Sequence, residues 1–543
     1  MSNFFTPDVY TEEIPLLPQS IAEVSTAVPA FIGYTEKATK EGKSLTNKAI
    51  RISTLLEYKE FFGGPKSVSF DVTVASDDII TDIKVESLQN KLYYALELYF
   101  KNGGGDCYVV SIGSYLDTYS KIDFLNGLET LCKEDEPTLI MLGEATNLQE
   151  ADYYEVCQEA LKQCADLKDR FCILDVQKNE GDVIENFRNG IGTNNLKYGA
   201  AYTPYLQTSL NYVYKDTDVT VSTLSSSTES SLKFDYDNTI TIIYKGPVTD
   251  NPKFRINKTG TTSDFSISST NLLTISNVGE GKSVEEILES WSNFSDKGNF
   301  DLLLITENAI VKSTETISLS VTGNGETFKL DSKKGTALYS KIISELTKQR
   351  IILPPSVAVA GAYATTDRER GVWKAPANIS LNGVVGPVEK ITSKDQERLN
   401  VDTTSGKSIN AIRSFVGKGT MIWGARTLAG NDNEWRYVSV RRLFNMIEES
   451  TKKAAQFAVF ESNDAITWLK VKAMIESFLY GVWQQGGLAG SVESQAYFVN
   501  IGLGKTMTQQ DILEGKMIVE IGLAAVRPAE FILLKFSHKL QEA

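Results

Sequence analysis

Two runs, Thr138-Leu-Ile-Met-Leu142 and Phe171-Cys-Ile-Leu-Asp-Val176, decide the architecture of the first third of this chain. Each is short and almost wholly apolar, the pattern of a strand buried on both faces. Residues 150–168 between them repeat their apolar positions at helical spacing. Strand, helix and strand in that order make a crossover unit with parallel strands, whose sheet is covered on both faces.

The alternation extends outward from this unit. Ala30-Phe-Ile-Gly-Tyr34 reads as a buried strand, and 88–100 as a helix with Leu88, Leu92, Leu96 and Tyr99 on one face. Asn102-Gly-Gly-Gly105 ends that helix, and Cys107-Tyr-Val-Val-Ser-Ile112 reads as the next strand. A helix at 122–133 precedes the deciding unit, and a helix at 182–191 and a strand at 198–202 follow it. After Gln207 the composition turns to Ser and Thr, with alternating runs such as Thr239-Ile-Thr-Ile-Ile-Tyr244. Val321-Thr-Gly-Asn-Gly-Glu-Thr-Phe328 carries an Asn-Gly hairpin signal. A short helix near 283–294 and a strand at 300–306 fall between.

The α/β pattern resumes with a helix at 338–346. Pro354-Pro355 then reads as a stop, with a strand at Val357-Ala-Val-Ala360. Two long amphipathic helices follow. One is expected over 434–457, capped by Asn431 or Asp432. The other is expected over 464–484, with Trp468, Val471, Ile475, Leu479 and Val482 on one stripe and Gly486-Gly487 ending it. The last segments, 518–526 and 531–536, read as strands separated by Arg527-Pro528, and Ile532, Leu534 and Phe536 form one apolar face. Near the other end, residues 8–14 are a lone β-capable run between Pro7 and Pro15, without a hairpin partner.

These readings give an α/β and α+β multidomain chain. It has an arm at 1–20, an α/β domain at 21–206 completed by about 336–365, and a mostly β surface insertion at 207–335. A C-terminal α+β core domain at 366–515 and terminal strands at 516–543 complete it.

Composition excludes several functions. The 543 residues carry 55 Lys plus Arg against 69 Asp plus Glu, a net charge of −14 that repels phosphate backbones and argues against nucleic acid as a partner. The only histidine, His538, is among the last six residues, so no Ser-His-Asp, Cys-His or two-histidine metal site can be assembled. Five cysteines without a CxxC pair point to reduced, buried thiols and to synthesis in a cytoplasm. The first fifteen residues have no signal-peptide pattern, and no apolar run is long enough to span a bilayer. Three Gly-Lys-Ser/Thr triplets begin at Gly281, Gly406 and Gly504, but the position five before each, where a phosphate loop needs a glycine, holds Ser276, Val401 or Val499. Catalytic, cofactor and metal residues are therefore expected to be absent.

Several runs are similar to one family in order and spacing. They are Leu353-Pro-Pro-Ser-Val-Ala-Val-Ala-Gly-Ala-Tyr-Ala364, Thr366-Asp-Arg-Glu-Arg-Gly-Val-Trp-Lys-Ala-Pro-Ala-Asn378 and Trp423-Gly-Ala-Arg-Thr-Leu428. Trp435-Arg-Tyr-Val-Ser-Val-Arg-Arg-Leu443, Thr506-Met-Thr-Gln-Gln-Asp511 and Val526-Arg-Pro-Ala-Glu-Phe531 continue the series. At the start, Thr6-Pro-Asp-Val-Tyr-Thr-Glu-Glu-Ile14 fits too, although Asp8 stands where the family often has glycine. The chain resembles the contractile tail sheath proteins of phages, tailocins and extracellular injection particles.

That resemblance implies a structural subunit made in the bacterial cytoplasm. Its hexameric rings would stack helically around an inner tube and contract from a metastable extended state. The implied partners are the chain itself, the tube, the baseplate and terminator or cap proteins, with no direct membrane insertion. It further implies that terminal arms add strands to neighbouring subunits, with Val9, Tyr10, Thr11 and Ile14 in one arm and Ile532, Leu534 and Phe536 in the other. Arg436, Arg441, Arg442, Lys470 and Lys472 are the charges expected to face the tube or a neighbour. The competing readings are an α/β enzyme of unknown reaction with oligomerisation extensions, and a static capsid or tube protein, which the chain length and arms disfavour.

Overall fold

The computed structural model describes residues 21–75, 78–179, 181–223, 232–236, 239–246, 252–257, 264–269, 271–276, 283–306, 314–318 and 327–534. The chain divides into two units, one of residues 1–66, 88–210 and 350–543, the other of 67–87 and 211–349.

The first unit is built on a nine-stranded sheet. Its strands are β1 (Pro29–Thr35), β2 (Ala49–Ile52), β3 (Cys107–Ser114), β4 (Leu139–Met141), β5 (Phe171–Asp175), β6 (Gly199–Thr203), β7 (Ile379–Ser380), β8 (Asn410–Phe415) and β9 (Gly419–Ile422). They lie in the order β7-β9-β8-β6-β5-β4-β1-β3-β2. The six from β8 to β3 are parallel, and β2, β9 and β7 close the edges antiparallel. The deciding unit is therefore β4, the helix α4 (Glu150–Leu167) and β5, as the periodicity predicts.

Side chains alternate across this sheet. Ala30, Ile32, Ile140, Cys172 and Leu174 join the core formed with α3 (Lys121–Leu131), α4 and α5 (Val183–Gly190). The opposite face is covered by α2 (Leu92–Lys101) and α6 (Ser356–Arg370).

The helix α6 corrects the strand expected at 357–360. Proline is tolerated in the first turn of a helix, so Pro354-Pro355 starts α6 instead of a strand. Its apolar residues are small because it lies against α2. A Cβ on Gly361 would stand 2.6 Å from Asn102 Cβ and 2.7 Å from the Tyr99 carbonyl oxygen. A helix buried nearly all round has no amphipathic stripe, which is why its sequence reads as a strand.

A second core packs α7 (Val438–Ala455) and α8 (Ala465–Gln484) against a two-stranded sheet, β10 (Tyr497–Ile501) with β11 (Val519–Leu523). Val471, Ile475, Leu479 and Val482 are buried as the stripe predicts, and Trp468 packs at its margin. Asp464 caps α8 through the Ile466 and Thr467 N–H groups, and Gly486 takes φ 87° at its end. The start expected at Glu434 is corrected to Val438, because Asp432 caps a separate turn through the Glu434 and Trp435 N–H groups. The terminal strand expected at 518–526 is β11, whereas 531–534 pair with no strand.

In the second unit, Phe70–Val74 pairs in parallel with Val219–Thr223, so residues 67–87, assigned from sequence to the α/β domain, share a sheet with the insertion. Two further sheets surround a core of Ile240, Ile242, Phe254, Leu273 and Phe300, with the helix Val284–Asn293 packed on it. The Asn-Gly turn expected at 324–325 lies outside the described residues. Of the five cysteines, Cys132 is exposed, a correction to the expectation that all are buried. No helix among the described residues is long and apolar enough to cross a membrane.

Candidate assembly site

The crevice where an open α/β sheet ordinarily receives a ligand lies beyond the carboxyl ends of its strands, where strand order reverses. Here that point falls between β1 and β4, and the chain fills it itself. Glu144, just after β4, accepts from the Tyr34 N–H (2.8 Å) on one oxygen and from the Lys91 (2.5 Å) and Leu92 (2.8 Å) N–H groups on the other. It thus sits on the N-terminus of α2 as a bound anion would. One strand along, Asp175 accepts from the Ser356 N–H (2.8 Å) and hydroxyl (2.6 Å) at the start of α6.

Burial pushes both carboxyls up to about 7, against the N–H and hydroxyl donors that hold them down. The folded chain keeps these protons at pH values where the unfolded chain has released them. Their contribution is therefore full below the ordinary carboxyl range and is lost as pH rises through about 7. The melting temperature of the monomeric chain should fall between pH 5 and 8. Asp175→Asn, whose amide can donate to the Ser356 hydroxyl, should flatten that slope, and thermal melts across the range read it directly.

The Gly406-Lys407-Ser408 triplet is a buried turn. Lys407 Nζ donates to the Arg188 carbonyl, and Asp402 accepts from the Thr404 (3.0 Å) and Lys407 (3.3 Å) N–H groups and the Ser405 hydroxyl. Those bonds, with Arg188 beside them, outweigh burial and hold Asp402 down to about 2.

The expected contact charges separate into two groups. Arg441 and Arg442 are buried, which corrects their reading as surface charges. Arg441 donates to Asn445 Oδ1 (2.8 Å), pairs with Glu448 (3.0 Å) and lies over the Trp435 ring at 4.2 Å. Arg442 grips Asp367 through two bonds (2.5 and 3.0 Å), their side chains 2% and 6% exposed. It also donates to the Thr26 carbonyl (2.8 Å) and lies over Tyr363. Both point inward because α7 gives Leu443, Met446 and Ile447 to one core, while on its other side Arg441 lies over Tyr198 and Asn445 donates to the Arg170 carbonyl. Arg436 is half-buried on the Gly430 carbonyl and Asn433. Lys470 remains exposed, and Lys472 reaches Glu476 at 3.4 Å.

At the terminal segments, Val9, Tyr10, Thr11, Ile14 and Phe536 lie outside the described residues. Phe531, Ile532, Leu533 and Leu534 are 75, 80, 78 and 71% exposed. Immediately before them is a residue the sequence reading did not single out. Glu530 receives Arg426 on both carboxylate oxygens (2.6–3.1 Å), Asn400 Nδ2 (2.7 Å) and the Tyr437 hydroxyl (3.2 Å). Burial pushes its carboxyl up, but these donors prevail and hold it below the ordinary range. A lone acid two residues after a proline carries no sign of such partners.

The fold and these segments can now be set against known proteins. The family model of the phage tail sheath C-terminal domain matches residues 430–539, which hold α7, α8, β10, β11 and Glu530. Over its whole length the chain is similar to the sheath of the PVC extracellular contractile injection system in its contracted state. Identity there is 26%, the TM-score is 0.56, and 99% of each chain is covered. It is also similar to the contracted helical sheath of the anti-feeding prophage, at 26% identity and a TM-score of 0.57, with 99% of this chain and 100% of that one covered. The likeness is to contractile tail sheaths, over nearly the whole chain in structure and over residues 430–539 in the family model.

Among curated tail sheath proteins, that of Vibrio phage KVP40 is 25% identical over 34% of this chain and 26% of its own. That of Enterobacteria phage T4 is 25% identical over 25% of this chain and 20% of its own. The chain thus spans about a quarter of the length of these curated relatives. Tail sheath proteins, to which the chain is similar, are structural and not enzymatic.

Proposed function

We propose that this chain is the repeating subunit of a contractile sheath, in which six-membered rings stack helically around an inner tube and shorten to drive the tube through a target envelope. The observation that carries this reading is the exposed apolar run Phe531–Leu534 in a chain that also holds an open-edged two-stranded sheet, β10–β11. Four contiguous apolar side chains facing water mark a contact surface. Each is worth about 1.5–3 kcal/mol as an upper bound when buried against a neighbour. Among the described residues no further strand pairs with either edge of β10–β11. Strand addition by arms from adjacent subunits, through Ile532, Leu534 and Phe536 and through Val9, Tyr10, Thr11 and Ile14, would satisfy both features.

The remaining parts follow from this assignment. The outward face of α8 carries Ile466 and Leu469, each 67% exposed, beside Lys470, and suits contact with the tube. Baseplate and terminator proteins would bound the stack, and synthesis would take place in a bacterial cytoplasm.

Negative-stain electron microscopy of the chain expressed alone and with its tube protein tests the reading. Hollow striated sleeves with six-fold end views are expected. Compact monomers in both preparations would overturn it. Charge reversal at Lys470 and Lys472 should lower tube co-assembly at least about tenfold, and unchanged co-assembly would remove both from the tube contact.

A further inference from the structure

Both segments through which the chain leaves its folded body are pinned around one helix. At the N-terminal side, Ile21 and Val24 pack on the core of α7 and α8, and the Val24 N–H donates to Ser450 Oγ on α7 (3.2 Å). Thr26 is held twice. Its hydroxyl donates to Asp367 (2.6 Å), and its carbonyl accepts from Arg442 on α7, the residue that grips Asp367. At the C-terminal side, Glu530 is held by Arg426, Asn400 and Tyr437, and Tyr437 is the residue that starts α7. Tyr437 and Arg442 are five residues apart, so the two attachments are separated by about 7.5 Å along the helix axis. Beyond Glu530 the described chain joins no strand and turns its apolar side chains outward.

The geometry points to Thr26 and Glu530 as the fixed roots of the two assembly arms, with α7 as the rigid link that carries load from one arm to the other. This rests on the sheath reading and adds to it the positioning residues and the load path. Tension entering at one root can pass through Arg442, the first turns of α7 and Tyr437 to the other. Within the described chain each root is closed by a bidentate Arg–carboxylate pair, Arg442 with Asp367 and Arg426 with Glu530.

A fixed root also pre-organises the arm. When Glu530 is released, residues 526–530, which follow the backbone pairing of Ala524 and Ala525, gain conformational freedom that must be lost again each time the arm adds to a neighbour. Glu530→Gln removes the charge at nearly constant shape. It should speed hydrogen exchange across 526–530 at least about tenfold and raise the critical concentration for sleeve assembly by about 10- to 100-fold.

The experiment compares full-length wild type and Glu530→Gln for exchange, thermal melting and critical concentration. Faster exchange with a raised critical concentration and a melting temperature within a few degrees of wild type is the expected result. Faster exchange with an unchanged critical concentration overturns the root assignment, and so does unchanged exchange. Should Glu530→Gln fail to fold, Tyr437→Phe removes one donor from the same carboxylate and must shift both readouts in the same direction. Absence of sleeves from wild type with its tube instead counts against the sheath reading itself.

Discussion

Replacing Arg442 with alanine is expected to destabilise the unit formed by residues 1–66, 88–210 and 350–543 by about 3–5 kcal/mol. The substitution leaves the Asp367 carboxylate, 6% exposed, without its counter-charge. It also removes the donor to the Thr26 carbonyl and the stack on Tyr363. The size comes from that abandoned charge rather than from the pair as a whole. Two ions taken out of water lose much of what they gain by attraction, whereas one left alone keeps only the loss. The Arg442→Ala/Asp367→Ala double variant should therefore recover part of the single variant's deficit despite lacking more atoms. Urea unfolding of the monomeric chain gives both values. A single-variant loss below about 1 kcal/mol, the range of solvent-exposed pairs, would show that water reaches the site.

Arg442 also marks the boundary of what the sequence reveals. Periodicity alone located β4, α4 and β5, and the stripe on α8, because a two-sided sheet and an amphipathic helix each impose a repeat on neighbouring residues. Nothing comparable tells a buried arginine from a solvated one. On a helix both read as charge, and the partner that decides, Asp367, lies on another helix. Glu144 and Glu530 were illegible for the same reason. Each is a single acid outside the periodic helices and strands, and its donors come from elements distant in the chain. The helix α6 was misread because close contact with α2 requires small residues, which erase the polar face that signals a helix. The pairing of Phe70–Val74 with Val219–Thr223 could not be seen because parallel partners need no turn signal between them.

Removing residues 1–15 should leave a chain that folds with an unchanged melting temperature and forms no stable sleeve. The folding half follows from where the described contacts begin. Ile21, Val24 and Thr26 still pack on α7, and among the described residues the cores of the larger unit are built from residue 21 onward. The assembly half follows from strand addition. A segment the length of residues 8–14 would contribute about five backbone hydrogen bonds at about 1 kcal/mol net each, before any apolar burial by Val9, Tyr10 and Ile14. Loss of about 5 kcal/mol per link weakens that link by about three to four orders of magnitude. The deficit recurs at every subunit, so a lattice held by such links cannot close into a sleeve. Sedimentation and negative-stain microscopy of the truncated chain with its tube protein measure this. Normal contractile particles would show that the segment is not the linking arm and would move the inter-subunit contact to α8 and the run at Phe531–Leu534. Monomers that melt several degrees lower than wild type would place residues 1–15 in the subunit's own core instead.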